Sequence, residues 1–406
     1  MKRGLTVIAM VLIFLSNSLP TVAKIGMLGG KGAVVVETNS MRVLYGLKEN
    51  EQLPMASTTK IMTAILAIEE GNLDDVVTVS GNATKAPPVD LKLQTGEKQY
   101  LGDLLYSLML QSHNDTAIAI AEHIGGSVEK FCDMMTDKAH ELGAVNTSFK
   151  TPNGLDSDGH YSTPYDLAII GAYALKNPKF VEIINTSEKT IPTKELEGSK
   201  KHELHNKNGF LNRMAGANGI KTGFTSKAGY CFVGSATRNE MTLVGVSLGN
   251  FGSEGKERKY TDVKTMMEHV FSNYTMYTLM DAGQILDSIS VKNGREELVK
   301  LVSKERIDIP LTKEEMQKVT LSITKPDEIK APVSTDLQVA RIDIILEDEI
   351  LKSSWLYPEK YVKKLSIFEK LKKYVHSFSE DSIDSKLIDS INLSDLENNN
   401  NSEDQY

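Results

Sequence analysis

Between Ile61 and Ile68 every residue except Thr63 is apolar. A helix that is apolar on all sides must be enclosed by other protein, so this run predicts a buried central helix starting near Ser57. The rest of the chain has to supply layers around it. Ala33-Val34-Val35-Val36 and Arg42-Val43-Leu44-Tyr45 read as strands, and Asn39-Ser40 supplies the turn of a hairpin. Leu101 to Leu110 reads as a helix, and another follows Asn114-Asp115 and stops at Gly125-Gly126. Ser127 caps a further helix, whose Val128, Phe131, Met135, Ala139 and Leu142 share one face. Strand patterns return at Tyr230–Val233 and Thr242–Val246, and Tyr260 to Phe271 is helical again. Strands, then helices, then strands imply α+β layering rather than alternating βαβ units.

From about residue 276 to 352 short β-rich runs dominate: Ile289-Ser290-Val291, Val319 to Ile323 and Val339 to Leu346, with turns such as Lys292-Asn293-Gly294. They predict a small all-β module. The chain of 406 residues can bury a sizeable core without staples. Its two cysteines, Cys132 and Cys231, exclude a disulfide scaffold or a Cys-rich zinc module. The net charge of −8 gives no pull toward nucleic acid, and residues 379–406 alone carry −7 of it.

Lys2 and Arg3 precede an eleven-residue, largely apolar run from Leu5 to Leu15, and Thr21-Val22-Ala23 ends in a small residue. This reads as a secretory signal cut after Ala23, because the run is too short for the roughly 20 residues of a membrane span. The mature protein is expected outside the cytoplasm.

Three short motifs carry the chemistry. Ser57-Thr58-Thr59-Lys60 opens the buried helix, and the three-residue spacing puts Ser57 and Lys60 on one face. A serine hydroxyl needs a base, and a desolvated lysine loses its proton readily enough to serve. Ser112-His113-Asn114 lies on a short connection between helices, where a hydroxyl and an amide can relay a proton and hold a peptide carbonyl. Lys221-Thr222-Gly223 lies on a strand. There a cation and a hydroxyl recognise a carboxylate, and glycine admits a close substrate backbone. Each motif alone is common in ordinary caps, turns and strand ends; the three in this order are specific.

Together they resemble the low-molecular-mass penicillin-binding proteins, the serine D-alanyl-D-alanine carboxypeptidases. The resemblance extends over Leu53 to Thr63, over Gly219 to Thr225 with Ala228-Gly229-Tyr230-Cys231, and over Asn153-Gly154-Leu155, His160 and Tyr165-Asp166. It spans about residues 24–375, the β module more loosely. It implies a β-lactamase-like α+β catalytic domain followed by a small all-β domain. The activity implied is removal of the terminal D-alanine from peptidoglycan pentapeptides, with β-lactams as inhibitors and no cofactor or metal. By motif position, Ser57 would be the acylated nucleophile, Lys60 its base and Ser112 the proton relay to the leaving D-alanine. Asn114, Lys221, Thr222, Gly223 and Phe224 would bind substrate, with the N–H groups of Ser57 and Phe224 as oxyanion hole. His160 and Arg258 are further candidates at the site. Two departures stand out: His113 is bulky where the family has a small residue, and Asn218 and Gly209 replace an acid and a base.

A β-lactamase would need a carboxylate to activate a deacylating water; between Asn114 and Lys221 only Asp156 and Asp158 in a turn-like segment offer one. A degenerate homologue that only binds wall peptide is disfavoured by the intact motifs. His202-Glu203-Leu204-His205 is one residue short of the H-E-x-x-H zinc pattern and reads as a solvated connection. Cys132 and Cys231 read as small apolar residues rather than a pair. From Glu359 to Phe378, apolar residues at helical spacing accompany a net charge of +4, a basic amphipathic helix suited to an anionic membrane surface. The expected organisation is a leader over 1–23, a catalytic domain over 24–275, a β domain over 276–357, the helix over 358–378 and an acidic tail over 379–406.

Overall fold

The computed structural model describes residues 26–192 and 201–373. The leader, the last residues of the expected amphipathic helix and the acidic tail lie outside them. The chain forms two compact units. One runs through Tyr277 and includes Asp308–Gln317; the other holds Thr278–Ile307 and the chain from Lys318 onward.

Among its described residues the first unit holds the strands β1 (Gly32–Glu37), β2 (Val43–Leu47), β3 (Val76–Thr78), β4 (Lys98–Tyr100), β5 (Glu188–Pro192), β6 (Lys201–His205), β7 (Ala217–Thr225), β8 (Gly229–Arg238) and β9 (Met241–Asn250). Its helices are α1 (Lys60–Glu70), α2 (Leu101–Tyr106), α3 (Asn114–Gly125), α4 (Val128–Glu141), α5 (Pro164–Ala174), α6 (Pro178–Asn185) and α7 (Gly255–Asn273). The main sheet is antiparallel with strand order β2-β1-β9-β8-β7. The N-terminal hairpin thus lies beside strands made some 200 residues later, and β7 is an edge. Alternate residues of the central strands face opposite sides. Val34, Val36, Val233, Val244 and Val246 join the core around α1 and α5, while Ala33, Val35, Phe232 and Leu243 join the core under α7. Both faces are covered, which is why these strands read as continuous apolar runs.

Helix α1 is the buried helix expected from Ile61–Ile68: residues Lys60 to Ala67 are all buried. Each fully buried Ile or Leu there stabilises by about 1.5–3 kcal/mol. Gly126, in the left-handed region at φ 73°, ends α3, and Ser127 Oγ accepts the Lys130 N–H to start α4. The expected helix Leu101–Leu110 is shorter: α2 stops at Tyr106 and a wide π-helical turn over Ser107–Gln111 follows. The expected solvated connection His202–His205 is strand β6, paired with β5. Three-residue spacing on a strand turns His202 and His205 to opposite faces, and among the described residues no cluster of metal-ligating side chains occurs. Cys132 and Cys231 are both buried and free, and burial pushes each thiol up to about 12.

The segment Asp308–Gln317 departs from the expected boundary near residue 276 by rejoining the first unit. Arg42 grips Glu315 there with both guanidinium nitrogens, a pairing that has no local sequence signal.

Continuing in chain order, β10 (Thr275–Met280), β11 (Ile285–Lys292), β12 (Leu298–Ser303), β13 (Ile307–Leu311), the short α8 (Lys313–Met316), β14 (Val319–Thr324), β15 (Glu328–Lys330), β16 (Ala340–Leu346) and β17 (Glu349–Pro358) complete the elements. The second unit is a six-stranded sheet, β14-β16-β17-β12-β11-β15. The amphipathic helix expected from Pro358 starts later. Residues 359–365 are not helical: the chain bends at 359–360, Val362 bridges Val333, Lys364 bridges Gly294, and Val362 is fully buried. Helix begins only at residue 367. The apolar residues at 361, 362 and 365 fit a strand edge as well as a helix face, and the strand partners won.

Candidate active site

The three motifs meet at the junction of α1, α3 and edge strand β7. Ser57 sits in a single 3₁₀ turn, Ala56–Thr59, that runs directly into α1. Ala56 precedes it at φ 49°, in the left-handed region that costs a non-glycine residue about 1–2 kcal/mol. Residues held this way cluster at functional sites. Two glycines allow the turn its surroundings. A Cβ on Gly154 would lie 2.0 Å from Ala56 O, and one on Gly223 would lie 2.8 Å from Ser57 N. The Lys221-Thr222-Gly223 strand therefore runs against the nucleophile turn at backbone contact.

Lys60 is wholly buried. Its Nζ lies 2.9 Å from Ser57 Oγ, 2.9 Å from Asn114 Oδ1 and 2.5 Å from the Asn153 carbonyl. Burial, reinforced by the charge of Lys221 and opposed by Asp115, holds the amine well below the usual lysine range. A neutral amine has two N–H groups and one lone pair. The two carbonyl oxygens can only accept, so they take both N–H groups. The lone pair is then open to the Ser57 hydroxyl, which also lies 3.3 Å from the Asn153 carbonyl as a donor to it.

Asn114 is oriented by its neighbours. Its backbone N–H donates to Val89 O at 2.7 Å and its Nδ2 to Pro87 O at 2.9 Å, which leaves Oδ1 for Lys60. The adjacent Asp115 carboxylate accepts the N–H groups of Leu91 and Leu93, pinning the same loop. Ser112 adopts φ 68°, and its buried Oγ has no hydrogen-bond partner among the described residues. That hydroxyl is uncommitted, as a proton relay requires.

Lys221 is buried on β7, and burial first, then the charges of Lys207 and Lys259, push its amine down to about 7. Its Nζ donates to Thr222 O at 3.1 Å. Phe224 is 53% exposed, its ring 4.4 Å from that of Tyr230.

His160 and Arg258 stand outside this cluster. His160 Nδ1 accepts the Lys150 N–H at 3.0 Å, so Nε2 carries the proton and donates to Thr59 Oγ1 at 3.0 Å. Thr59 Oγ1 in turn donates to Ala56 O. With both nitrogens used and the ring 6% exposed, His160 braces the nucleophile turn from behind rather than facing a substrate. Burial pushes it down to about 4, keeping it neutral. Arg258 pairs with Glu254 at 3.1 Å on α7 and is half exposed. Asp156, a candidate for activating water, accepts from Thr225 Oγ1 at an exposed position. Among the described residues no carboxylate bonds Ser57 or Lys60. Residue types alone did not reveal the Asn153 carbonyl, because any residue supplies a main-chain oxygen.

Comparison with known proteins gives the family. Residues 21–252 match the family described as D-alanyl-D-alanine carboxypeptidase, and residues 274–364 match the penicillin-binding protein 5 C-terminal domain. The D-alanyl-D-alanine carboxypeptidase DacF of Bacillus subtilis is 34% identical over 350 residues, 84% of this chain and 88% of that protein. DacA of Haemophilus influenzae is 30% identical over 83% of this chain and 86% of its own. The solved structure of penicillin binding protein 5 from Haemophilus influenzae superposes with a TM-score of 0.72 at 26% identity, covering 86% of this chain and all of that one. The chain belongs to the D-alanyl-D-alanine carboxypeptidase family and is a serine hydrolase. The family acts outside the cytoplasm on peptidoglycan peptides and binds β-lactams.

Proposed function

We propose that this protein is an exported serine carboxypeptidase that removes the terminal D-alanine from wall pentapeptides through an acyl-enzyme on Ser57. The observation that carries the reading is the position of the buried Lys60 Nζ, 2.9 Å from Ser57 Oγ and bonded to the Asn114 Oδ1 and Asn153 carbonyl oxygens. Lys60 takes the proton as Ser57 Oγ attacks the penultimate carbonyl. The N–H groups of Ser57 and Phe224 receive the developing oxyanion, a contribution of roughly 3 kcal/mol per donor. Ser112 passes the proton to the leaving D-alanine nitrogen. Asn114 holds a substrate carbonyl, and Thr222 with charged Lys221 holds the terminal carboxylate. Water then cleaves the ester. A β-lactam enters by the same attack but leaves slowly.

Release of D-alanine from a wall pentapeptide tests this directly, and its pH profile tests the two lysines. Lys60 must be neutral, so the rate rises with pH as its depressed amine loses its proton. Lys221 must be charged, so the rate falls again above about 7 in free enzyme. A bell is the expected outcome. A rate that climbs steadily to pH 10 would mean Lys60 keeps an ordinary lysine pKa.

We also propose that the protein associates peripherally with the outer face of the cytoplasmic membrane or the cell wall, through the helix that starts at residue 367. No described helix is long and apolar enough to cross a membrane. Ile367 and Leu371 are 83% and 63% exposed, leaving an apolar stripe open. Lysine attraction to anionic lipid adds roughly 1 kcal/mol per residue near the surface. The acidic tail opposes it. A mature chain ending at Phe378 should therefore sediment with anionic vesicles more strongly than the full mature chain, and salt should shrink the difference. A chain ending at Ser366, which keeps buried Val362 and its strand pairing, should stay in the supernatant and retain activity. Equal binding by all three would refute the surface helix.

A further inference from the structure

His113 stands between the two residues of its motif that carry chemistry, yet its ring faces into the protein and is 4% exposed. Its Nδ1 lies 2.8 Å from Ser107 Oγ, and Ser107 Oγ lies 2.8 Å from Thr116 Oγ1. Thr116 Oγ1 in turn reaches the Asp115 carboxylate at 3.5 Å, and the Thr116 N–H donates to the same oxygen at 2.8 Å. With Thr116 Oγ1 donating across the 3.5 Å contact to the carboxylate, and His113 in its Nδ1–H tautomer, the protons run in one direction along the chain. Thr116 donates to Asp115, Ser107 donates to Thr116, and His113 Nδ1–H donates to Ser107. Ser107 opens the π-helical turn that ends at Ser112, while Thr116 lies in the first turn of α3. The chain of bonds therefore spans the bend that holds Ser112 in its left-handed conformation and joins its two ends.

We infer that His113 is a positioning residue for the Ser112 hydroxyl, acting through Ser107 and Thr116 to fix the bend between the π-helical turn and α3. The inference rests on the carboxypeptidase reading above. Ser112 Oγ makes no hydrogen bond among the described residues, so the backbone of the bend must aim it. A small residue at 113 would leave Ser107 without this donor. The neutral ring suits the role: burial first, then Lys207, with Lys60 and His202 adding and Asp90 opposing, pushes it down to about 4.

The test compares His113→Ala, His113→Asn, Ser107→Ala and the His113→Ala/Ser107→Ala double variant. The readouts are acylation rate with a fluorescent penicillin, kcat and KM for pentapeptide, and thermal midpoint. Loss of either partner should slow acylation about tenfold by misplacing the relay, with KM nearly unchanged. The double variant should lose no more than either single one, because both break one chain. Asparagine carries an N–H near the position of Nδ1 and should restore most of the rate. Parent-like acylation in His113→Ala, an Asn variant as slow as Ala, or losses that multiply in the double variant would each overturn the inference. Ser107→Ala removes one oxygen atom and keeps the test valid if His113→Ala does not fold. A parent that is itself inert to penicillin would overturn the carboxypeptidase reading, and this inference with it.

Discussion

Lys60→Arg is expected to fold and to lose acylation by on the order of 10²–10⁴-fold, the usual share of a general base. Arginine keeps the charge but has no lone pair at neutral pH, so nothing accepts the Ser57 proton. The site also shows why a permanent charge is unwelcome there. Lys60 is fully buried and shares its surroundings with Lys221, whose charge already drives the Lys60 amine toward its neutral form. A fixed guanidinium would push Lys221 to discharge in turn and weaken carboxylate recognition. Some stability is lost as well, because the larger head must displace Asn114 Oδ1 or the Asn153 carbonyl. Stopped-flow acylation by a fluorescent penicillin, beside a thermal midpoint, separates the two effects. Acylation near the parent rate in a folded Arg variant would remove Lys60 from its role as base.

Gly154→Ala should cost about 100-fold in acylation, although residue 154 carries no reactive atom. Gly154 has φ 83°, and its added Cβ would meet Ala56 O at 2.0 Å, Ala56 C at 2.5 Å and Ser57 N at 2.9 Å. All three are backbone atoms of the nucleophile turn, so the turn itself must shift, by about 1 Å merely to reach the 3.0 Å closest approach of a real Cβ. A misplacement of that size at the reacting group costs about 100-fold. Gly143 separates this from simple backbone strain. It has φ 92°, but nothing lies within 4 Å of its added Cβ. Gly143→Ala should therefore lose only about 1–2 kcal/mol of stability, as alanine does in the left-handed region, and keep parent acylation. Equal acylation in the two variants would mean that the turn yields without moving Ser57.

What could be read from residue types was largely side-chain chemistry and periodicity. The apolar run Ile61–Ile68 marked α1 because burial on all sides leaves no polar face. Ser57, Lys60, Ser112, Asn114 and Lys221 were visible because their functional groups are themselves side-chain atoms. The Asn153 carbonyl, the contact that completes the Lys60 environment, is main chain and leaves no mark on residue type. The left-handed Ser112 is equally hidden: it depends on the π-helical turn before it and on loop contacts to Val89 and Pro87. The first half of the basic segment after Pro358 fits two patterns at once. Residues 359–365 satisfy a helical stripe, but Val333, Asn293 and Gly294 offer strand partners that lie 29 or more residues away in the chain.

The central claim is that Ser57 is the atom acylated. Mass spectrometry of the protein after brief exposure to benzylpenicillin, followed by peptide mapping, tests it most directly. The account predicts one penicilloyl group, carried by the peptide containing Ser57 and absent from Ser57→Ala. Pre-incubation with pentapeptide should slow its appearance. An adduct on Ser112, or an unchanged adduct in Ser57→Ala, would contradict it.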